Sequence, residues 1–236
     1  MKAMILAAGL GTRLRPLTDT LPKPLLPLGG RPLITYTLDW LKRFGITEVV
    51  INVHYLREKI MQTLGDGRRF GMTIVYSEEP ELLGTGGGIK KAQPHLSDGA
   101  FVVVNADVLI DLDLRSVVAF HGHKGGEATL VLREDAAVQF GAIQIDRRDR
   151  IRSILAQPPW EDAAARTRMF TGVHIIAPAL LDAIPTGQAC SITDIYIARL
   201  KAGAALYGYT MQGDWDDLGH RDRYDQAVRA RQRRAR

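Results

Sequence analysis

Cysteine is almost absent from this chain: one residue, Cys190, in 236. A single thiol excludes an internal disulfide and any Cys-based zinc cluster, so a packed core has to hold the fold. Cys190 itself is expected as a small buried or half-buried residue. No apolar run approaches the roughly 18 residues that a membrane-crossing helix needs. The N-terminus also lacks the charged and apolar regions of a secretory signal, so the expectation is a cytoplasmic protein with no membrane partner. Six histidines are present without a shared spacing. His121 and His123 read as surface residues near a helix end, and His54, His95, His174 and His220 are scattered. Zinc chemistry is therefore not expected. Charge is lopsided rather than scarce. The net charge is +5, yet residues 221–236 alone hold seven arginines and two aspartates, which leaves the rest close to neutral. A basic terminal helix or tail, with no interleaving of aromatic and basic residues, does not make a nucleic-acid groove.

What is present is a chain with 46% hydrophobic residues, enough for one well-buried α/β domain. Strand-like and helix-like segments alternate, as an open, mostly parallel sheet requires. The spacing predicts strands at 48–53, 73–76, 101–107, 127–132, 142–145 and 169–176. Helices are predicted at 32–44, 56–64, 188–201 and from 221 onward, with Trp40 in the core. There is no internal repeat, low-complexity tract or linker.

The most informative stretch is the first fifteen residues. The apolar run Met4–Ala8 reads as a buried strand. Gly9 and Gly11 follow it, with Thr12, Arg13 and Arg15 close behind. Glycines let backbone N–H groups approach an anion, and an arginine supplies a forked, permanent charge, so the stretch reads as a phosphate-binding device, with a glycine turn that holds no ligand as the alternative. Two familiar loops fail on residues. The P-loop needs four residues between its glycines and then Lys and Ser/Thr, which neither Gly9 nor Gly11 has. The dinucleotide loop needs a third glycine where Leu14 stands and an acid where the next strand ends in Asn52. Farther on, Pro22-Lys23-Pro24-Leu-Leu-Pro27 pins one ammonium in an extended loop between prolines.

Leu-Ala-Ala-Gly9-Leu-Gly11-Thr12-Arg13-Leu-Arg-Pro-Leu-Thr18 followed by Pro-Lys23-Pro-Leu-Leu-Pro resembles the sugar-1-phosphate nucleotidyltransferases. Within that family the muramic acid 1-phosphate uridylyltransferases and the mannose- or heptose-1-phosphate guanylyltransferases are similar. The resemblance implies a Rossmann-like fold: a mixed, mostly parallel sheet flanked by helices, forming one catalytic domain over 1–236. A nucleotide-binding half would occupy about 1–125, a sugar-binding half about 126–220, and a basic helix or tail 221–236. The catalytic domain alone fills this length, which leaves no room for the carboxy-terminal domain that some relatives add. The implied reaction is NTP plus sugar 1-phosphate giving NDP-sugar and pyrophosphate. Relatives often assemble as dimers or tetramers, so a homo-oligomer is compatible with the resemblance.

Residue by residue, the resemblance implies that Arg13 and Lys23 act on the phosphates. Ala8, Gly9, Gly11, Thr12, Glu79, Gly84, Thr85 and Asn105 would surround the nucleotide. Asp107 ends a buried strand, where a carboxylate needs a cation or a hydrogen-bond role such as capping the next helix. Asp217, two residues after Trp215, matches the second family ligand for Mg²⁺, while Asp216 points the other way in an extended segment. The Gly84-Thr85-Gly-Gly-Gly88 run is expected to lie against a flat base. Glu79 is either a solvated loop acid or a base contact. As a carboxylate it only accepts protons, which suits guanine or uracil and disfavours ATP. Gly141, Thr171 and Gly172 match sugar positions. Between them the family's Glu-Lys-Pro is replaced by Ala156-Gln157-Pro158, so its lysine is missing, with Arg152, Arg166 and Arg168 as candidate substitutes. The missing lysine favours a non-catalytic nucleotide-sugar-binding regulatory subunit. The intact Arg13, Lys23, Asp107 and Asp217 favour the enzyme. An RNA-binding role for the arginine tail is a further, weaker alternative.

Overall fold

The computed structural model describes residues 1–134 and 142–234. The regular elements, in chain order, are β1 (Ala3–Leu6), β2 (Pro27–Leu28), β3 (Arg31–Pro32), α1 (Ile34–Arg43), β4 (Glu48–Val53), α2 (Arg57–Leu64), β5 (Thr73–Glu78), α3 (Gly84–Lys91), α4 (Gln93–Leu96), β6 (Phe101–Asn105) and β7 (Val108–Ile110). They continue with α5 (Leu114–Lys124), β8 (Ala128–Arg133), β9 (Ala142–Ile145), β10 (Ile151–Ile154), β11 (Arg166–Ile176), α6 (Ile192–Lys201), β12 (Leu206–Thr210), β13 (Trp215–Asp217) and α7 (Arg221–Arg234). The expected class, a mixed, mostly parallel sheet with flanking helices, is the one the chain adopts. Two compact units are present. One holds Lys2–Leu82, Val104–Asp111 and Asp214–Arg236, and the other holds Leu83–Val103 and Leu112–Gly213. This division does not fall at a single cut near residue 125, because the chain passes from one unit to the other several times.

In the first unit, β1, β4 and β5 lie side by side and parallel, with Leu6 beside Asn52 and Asn52 beside Ser77. Ala3, Met4, Ile5, Ile51 and Val53 are fully buried, which is why these strands read as unbroken apolar runs. Their carboxyl ends therefore deliver Ala7, Asn52 and Glu79 to one edge of the sheet. Helix α1 buries Ile34, Leu38, Trp40 and Leu41, so Trp40 is core as expected. The basic C-terminal segment is a docked helix rather than a loose tail. Tyr224 of α7 packs on Leu14 and Leu26, and its hydroxyl donates to the Pro27 carbonyl at 2.6 Å. Arg231 lies over the Tyr36 ring at 4.2 Å and Arg223 over Trp215 at 5.9 Å, which places charge on aromatic faces.

The second unit is built on β11, which pairs antiparallel with β8 and with β9. β12 adds to β8 in parallel, and β10 adds to β9 antiparallel. His121 is buried, not at the surface, because α5 turns it onto β8, where Nδ1 meets Thr129 Oγ1 at 2.9 Å. Arg199 of α6 makes a two-pronged pair with Glu127, at 2.8 and 2.5 Å. His174 of β11 is fully enclosed, with its Nδ1 hydrogen-bonded to the Tyr196 hydroxyl of α6.

Burial drives the His174 pKa down to about 3. In the unfolded chain the same imidazole titrates near 6.5. The unfolded state therefore binds the extra proton between those values. The stability supplied by the neutral ring is fully present above about pH 6.5 and is lost as the pH falls toward 3. Thermal unfolding of wild type and His174→Gln at pH 7.5, 6 and 5 is expected to show the steeper acid loss in wild type. The difference in slope should approach about 1.4 kcal/mol per pH unit. Equal slopes would mean that His174 is not held neutral.

Candidate nucleotide and cation site

The glycine loop of the first unit is fixed at both ends and open in the middle. At its start the Ala7 N–H donates to Asn52 Oδ1 at 2.8 Å, and Ala8 is buried. At its end Leu14, fully buried, donates its N–H to the Gly11 carbonyl at 2.9 Å. Gly11 has φ +65°, and a Cβ there would stand 2.9 Å from Thr18 Cγ2, so only glycine fits. The Thr18 hydroxyl donates to the same Gly11 carbonyl at 2.8 Å. Gly9, Leu10, Thr12 and Arg13 are left exposed. Arg13 Nη1 lies 2.5 Å from His220 Nε2. A guanidinium only donates, so in this contact the imidazole nitrogen is the acceptor. No spacing in the sequence ties His220 to Arg13.

The acidic pair forms in the same unit. β13 runs antiparallel to β7, setting Asp217 opposite Val108 and so beside Asp107. The Leu218 N–H donates to the Asp107 carbonyl at 2.9 Å, and Ala106 N–H to that of Leu6 at 3.1 Å. Asp107 caps no helix, since α5 is capped by Asp113. Its carboxylate pairs with Lys23, both side chains being 15% exposed. Asp217 accepts the Gly219 N–H at 2.6 Å, while Asp216 is turned outward, as an extended segment requires. A Cβ on Gly219 would lie 2.6 Å from Asp217 Oδ1, 3.0 Å from Lys23 Nζ and 3.2 Å from Asp107 Oδ2. Three charged groups thus converge on one glycine. Burial, and then the Asp107 charge, raise the Asp217 carboxyl above its usual range, against the pull of the Gly219 amide, Lys23 and Arg13. A carboxylate whose charge is disfavoured beside a second oxygen donor makes a place where a divalent cation is welcome. Among the described residues no group of three or more His, Cys, Asp or Glu could cage a metal. The pair therefore suits an ion that keeps waters and takes phosphate oxygens.

A sequence profile described as "Nucleotidyl transferase" matches residues 2–234. The chain belongs to the nucleotidyl transferase family. It is 36% identical, over 97% of its length, to a UTP–glucose-1-phosphate uridylyltransferase of Synechocystis, and spans 63% of that protein. It is 36% identical over 93% of its length to a mannose-1-phosphate guanyltransferase of Debaryomyces hansenii, of which it spans 61%. With an N-acetylmuramate alpha-1-phosphate uridylyltransferase of Neisseria meningitidis it shares 37% identity over 93% of both chains. In fold it matches HddC of Yersinia pseudotuberculosis, solved with GMP-PN, at a TM-score of 0.81, 97% and 98% coverage and 22% identity.

Several residues that the nucleotidyl transferase resemblance singled out serve local structure. Glu79 is not a solvated loop acid. It is 1% exposed, and Oε1 accepts from Asn52 Nδ2 at 2.8 Å. The Glu79 carbonyl meets His54 Nδ1, also at 2.8 Å. Asn52, noticed in the sequence only for lacking an acid, thus links Ala7 to Glu79 beneath the loop. Asn105 is half-buried at the end of β6. In the second unit, Thr85 Oγ1 accepts the Ile192 N–H at 2.8 Å, at the start of α6. Cβ atoms on Gly84 and Gly87 would fall 2.6 Å from the Cys190 carbonyl and 2.5 Å from the Gln188 carbonyl. The glycine run is therefore occupied by the chain's own 188–190 backbone over part of its length.

The sugar positions divide as well. Gly141 lies outside the described residues. The Thr171 hydroxyl is buried and donates to the Val131 carbonyl at 2.8 Å, whereas Gly172 takes φ +80° in β11. Arg152, Arg166 and Arg168 are bound by Asp146, Asp149 and Glu134 respectively. A lysine not singled out from sequence, Lys201, brings its Nζ to 3.0 Å from Gln157 Oε1.

The packing reading of the glycine run is testable. Gly87→Ala should lower stability by about 1–3 kcal/mol through overpacking against Gln188. Calorimetry reads this as a lowered Tm. A glycine kept only for a base would leave Tm in place and change nucleotide affinity.

Proposed function

We propose that this chain transfers a nucleotidyl group from UTP or GTP to a sugar 1-phosphate and releases pyrophosphate. The convergence of Lys23, Asp107 and Asp217 around Gly219, with the Arg13 charge acting on Asp217, carries the reading. A sugar-phosphate oxygen attacks the α-phosphorus in line. The new P–O bond forms as the bond to the β-phosphate oxygen breaks, and pyrophosphate leaves with the electron pair. The nucleophile is already anionic, because the second pKa of a phosphate monoester is about 6, so no general base is required.

The work left to the protein is positioning and charge neutralisation. Exposed amides of Gly9 to Thr12 and the Arg13 guanidinium hold the triphosphate and then the leaving pyrophosphate. His220 holds the Arg13 fork through Nε2. Lys23 neutralises charge on the α-phosphate or sugar phosphate, exchanging its resting partner Asp107 for substrate. Asp107 and Asp217 would hold Mg²⁺, which supplies charge neutralisation between the reacting phosphates. Glu79 and Asn105 are assigned to the nucleotide side, and the burial of Glu79 against Asn52 supports an orienting role. Thr171 and Gly172 are assigned to the sugar side. The candidate sugars include glucose, mannose and N-acetylmuramate 1-phosphates, the last named for the relative that the chain matches over nearly its whole length. Among the described residues no helix is long and apolar enough to cross a membrane.

Pyrophosphate release with Mg²⁺, screening UTP, GTP, dTTP, CTP and ATP against sugar 1-phosphates, tests this directly. Asp107→Asn and Arg13→Ala should each lower kcat/KM by about 10³ or more. Near-normal turnover by either variant would remove that residue from the mechanism.

A further inference from the structure

The carboxyl end of β4 does more than hold the start of the glycine loop. Asn52 ties Ala7 to Glu79, and His54 Nδ1 meets the Glu79 carbonyl at 2.8 Å. Tyr55 and Lys59 reach residues 18–20 instead. The half-buried Tyr55 donates its hydroxyl to the Thr18 carbonyl at 2.9 Å, and more weakly to that of Asp19 at 3.2 Å. Lys59 Nζ donates to the Thr20 carbonyl at 2.5 Å. Nothing in the sequence links Tyr55 to Thr18, which lies 37 positions earlier.

The backbone beside Tyr55 is strained. Leu56, which opens α2, is left-handed at φ 48°, a conformation that a leucine adopts only against its own sterics. Strain of this kind persists where the surroundings over-determine the chain, and it gathers around functional sites. The other tie on this stretch is weaker. Arg15 and Asp19 form an ion pair with both side chains more than half exposed, and such pairs hold little.

What Tyr55 holds matters because of what Thr18 holds. Thr18 is 1% exposed, faces Gly11 with its methyl, and donates its hydroxyl to the Gly11 carbonyl at 2.8 Å. The Leu14 N–H donates to the same oxygen at 2.9 Å, so both of its lone pairs are used. A peptide unit is planar and trans, so its C=O and N–H point in opposite directions. Fixing the Gly11 carbonyl toward Thr18 therefore turns the Thr12 N–H away from Thr18. Thr12 is exposed, and its N–H has no backbone acceptor among the described residues. Tyr55 fixes Thr18, Thr18 fixes Gly11, and the Gly11 peptide aims the Thr12 amide.

We propose that Tyr55 is a positioning residue for the transfer: through Thr18 and Gly11 it aims the Thr12 amide at the phosphates of the nucleotide and of the departing pyrophosphate. The inference rests on the transferase reading for the chemistry, while binding of inorganic pyrophosphate tests it without turnover. The full chain would be compared with Tyr55→Phe, Thr18→Val, Thr18→Ser and the Tyr55→Phe, Thr18→Val double variant. Each would be titrated calorimetrically with pyrophosphate, UTP and GTP in Mg²⁺, with pyrophosphate release and Tm followed in parallel. Tyr55→Phe removes one hydroxyl and keeps the ring. It should weaken pyrophosphate binding about three- to tenfold, the scale of one hydrogen bond. The kcat/KM for the nucleotide should fall by a similar factor, with KM for the sugar 1-phosphate unmoved. Thr18→Val should lose about tenfold or more, and Thr18→Ser, which keeps the hydroxyl, clearly less. Because the two residues act in series, the double variant should lose no more than Thr18→Val alone. Wild-type pyrophosphate affinity in Tyr55→Phe, or losses that multiply in the double variant, overturns the proposal. So does a lowered Tm with affinity kept, the mark of a purely structural tyrosine. Turnover that Tyr55→Phe leaves unaltered keeps the transferase and removes the positioning role. Tyr55-dependent pyrophosphate binding without pyrophosphate release keeps the aiming of the loop and removes the transferase. A wild type that binds neither pyrophosphate nor nucleotide removes both.

Discussion

Asp107 and Asp217 are brought together in partly buried surroundings, where burial and the Asp107 charge raise the Asp217 carboxyl. The sheet forces this arrangement, because antiparallel pairing of β13 with β7 fixes Asp217 opposite the residue after Asp107. Lys23 offsets the repulsion in the resting protein by pairing with Asp107. Gly219 leaves room for the approach, since a Cβ there would clash with Asp217 Oδ1 at 2.6 Å and press tightly on Lys23 and Asp107. The neighbouring parts of the first unit follow from this constraint. β1 ends beside Asp107's strand, the proline-bounded loop delivers the lysine, and α7 packs under the glycine loop through Tyr224. Two carboxylates and one lysine leave a net negative charge in this corner of the first unit, the balance that a cation would complete in the proposed reaction.

The glycines divide into three physical kinds. Gly11 and Gly219 allow close approach, to Thr18 and to the charged triad. Gly84 and Gly87 serve assembly of the second unit, where the backbone of residues 188–190 occupies the space that side chains would need. Gly9 meets nothing within 4 Å and keeps the loop open. In sequence all of these look like ligand-binding glycines, and only the neighbouring atoms separate them.

The buried polar groups show the same economy. Asn52 spends its carboxamide oxygen on Ala7 and its amide on Glu79, so one side chain ties the start of the phosphate loop to the end of β5. His174 and Tyr196 satisfy one another in the core of the second unit, at the cost of holding the imidazole neutral.

The fold class was legible in the sequence for local reasons, and the glycine loop and Asp107 stood out there as candidates. Buried parallel strands must be continuous apolar runs, Gly-x-Gly-Thr-Arg permits only a few backbone paths, and the alternation of an extended segment separates Asp217 from Asp216. Lys23 stood out for the prolines around it, and family resemblance added Asp217 as the partner of Asp107. Roles that depend on what lies across space were not legible. Glu79 read equally well as a solvated acid until burial against Asn52 decided it, and His121 read as surface until α5 was seen to turn it onto Thr129. The contacts of Arg13 with His220 and of Gln157 with Lys201 join residues 207 and 44 positions apart. Sequence by itself determined which residue types and which strand ends were available, because those follow from short-range sterics and hydrophobic spacing. Only the tertiary structure decided which donor meets which acceptor and which glycines are filled by neighbours. Those outcomes depend on packing between segments that no local pattern encodes.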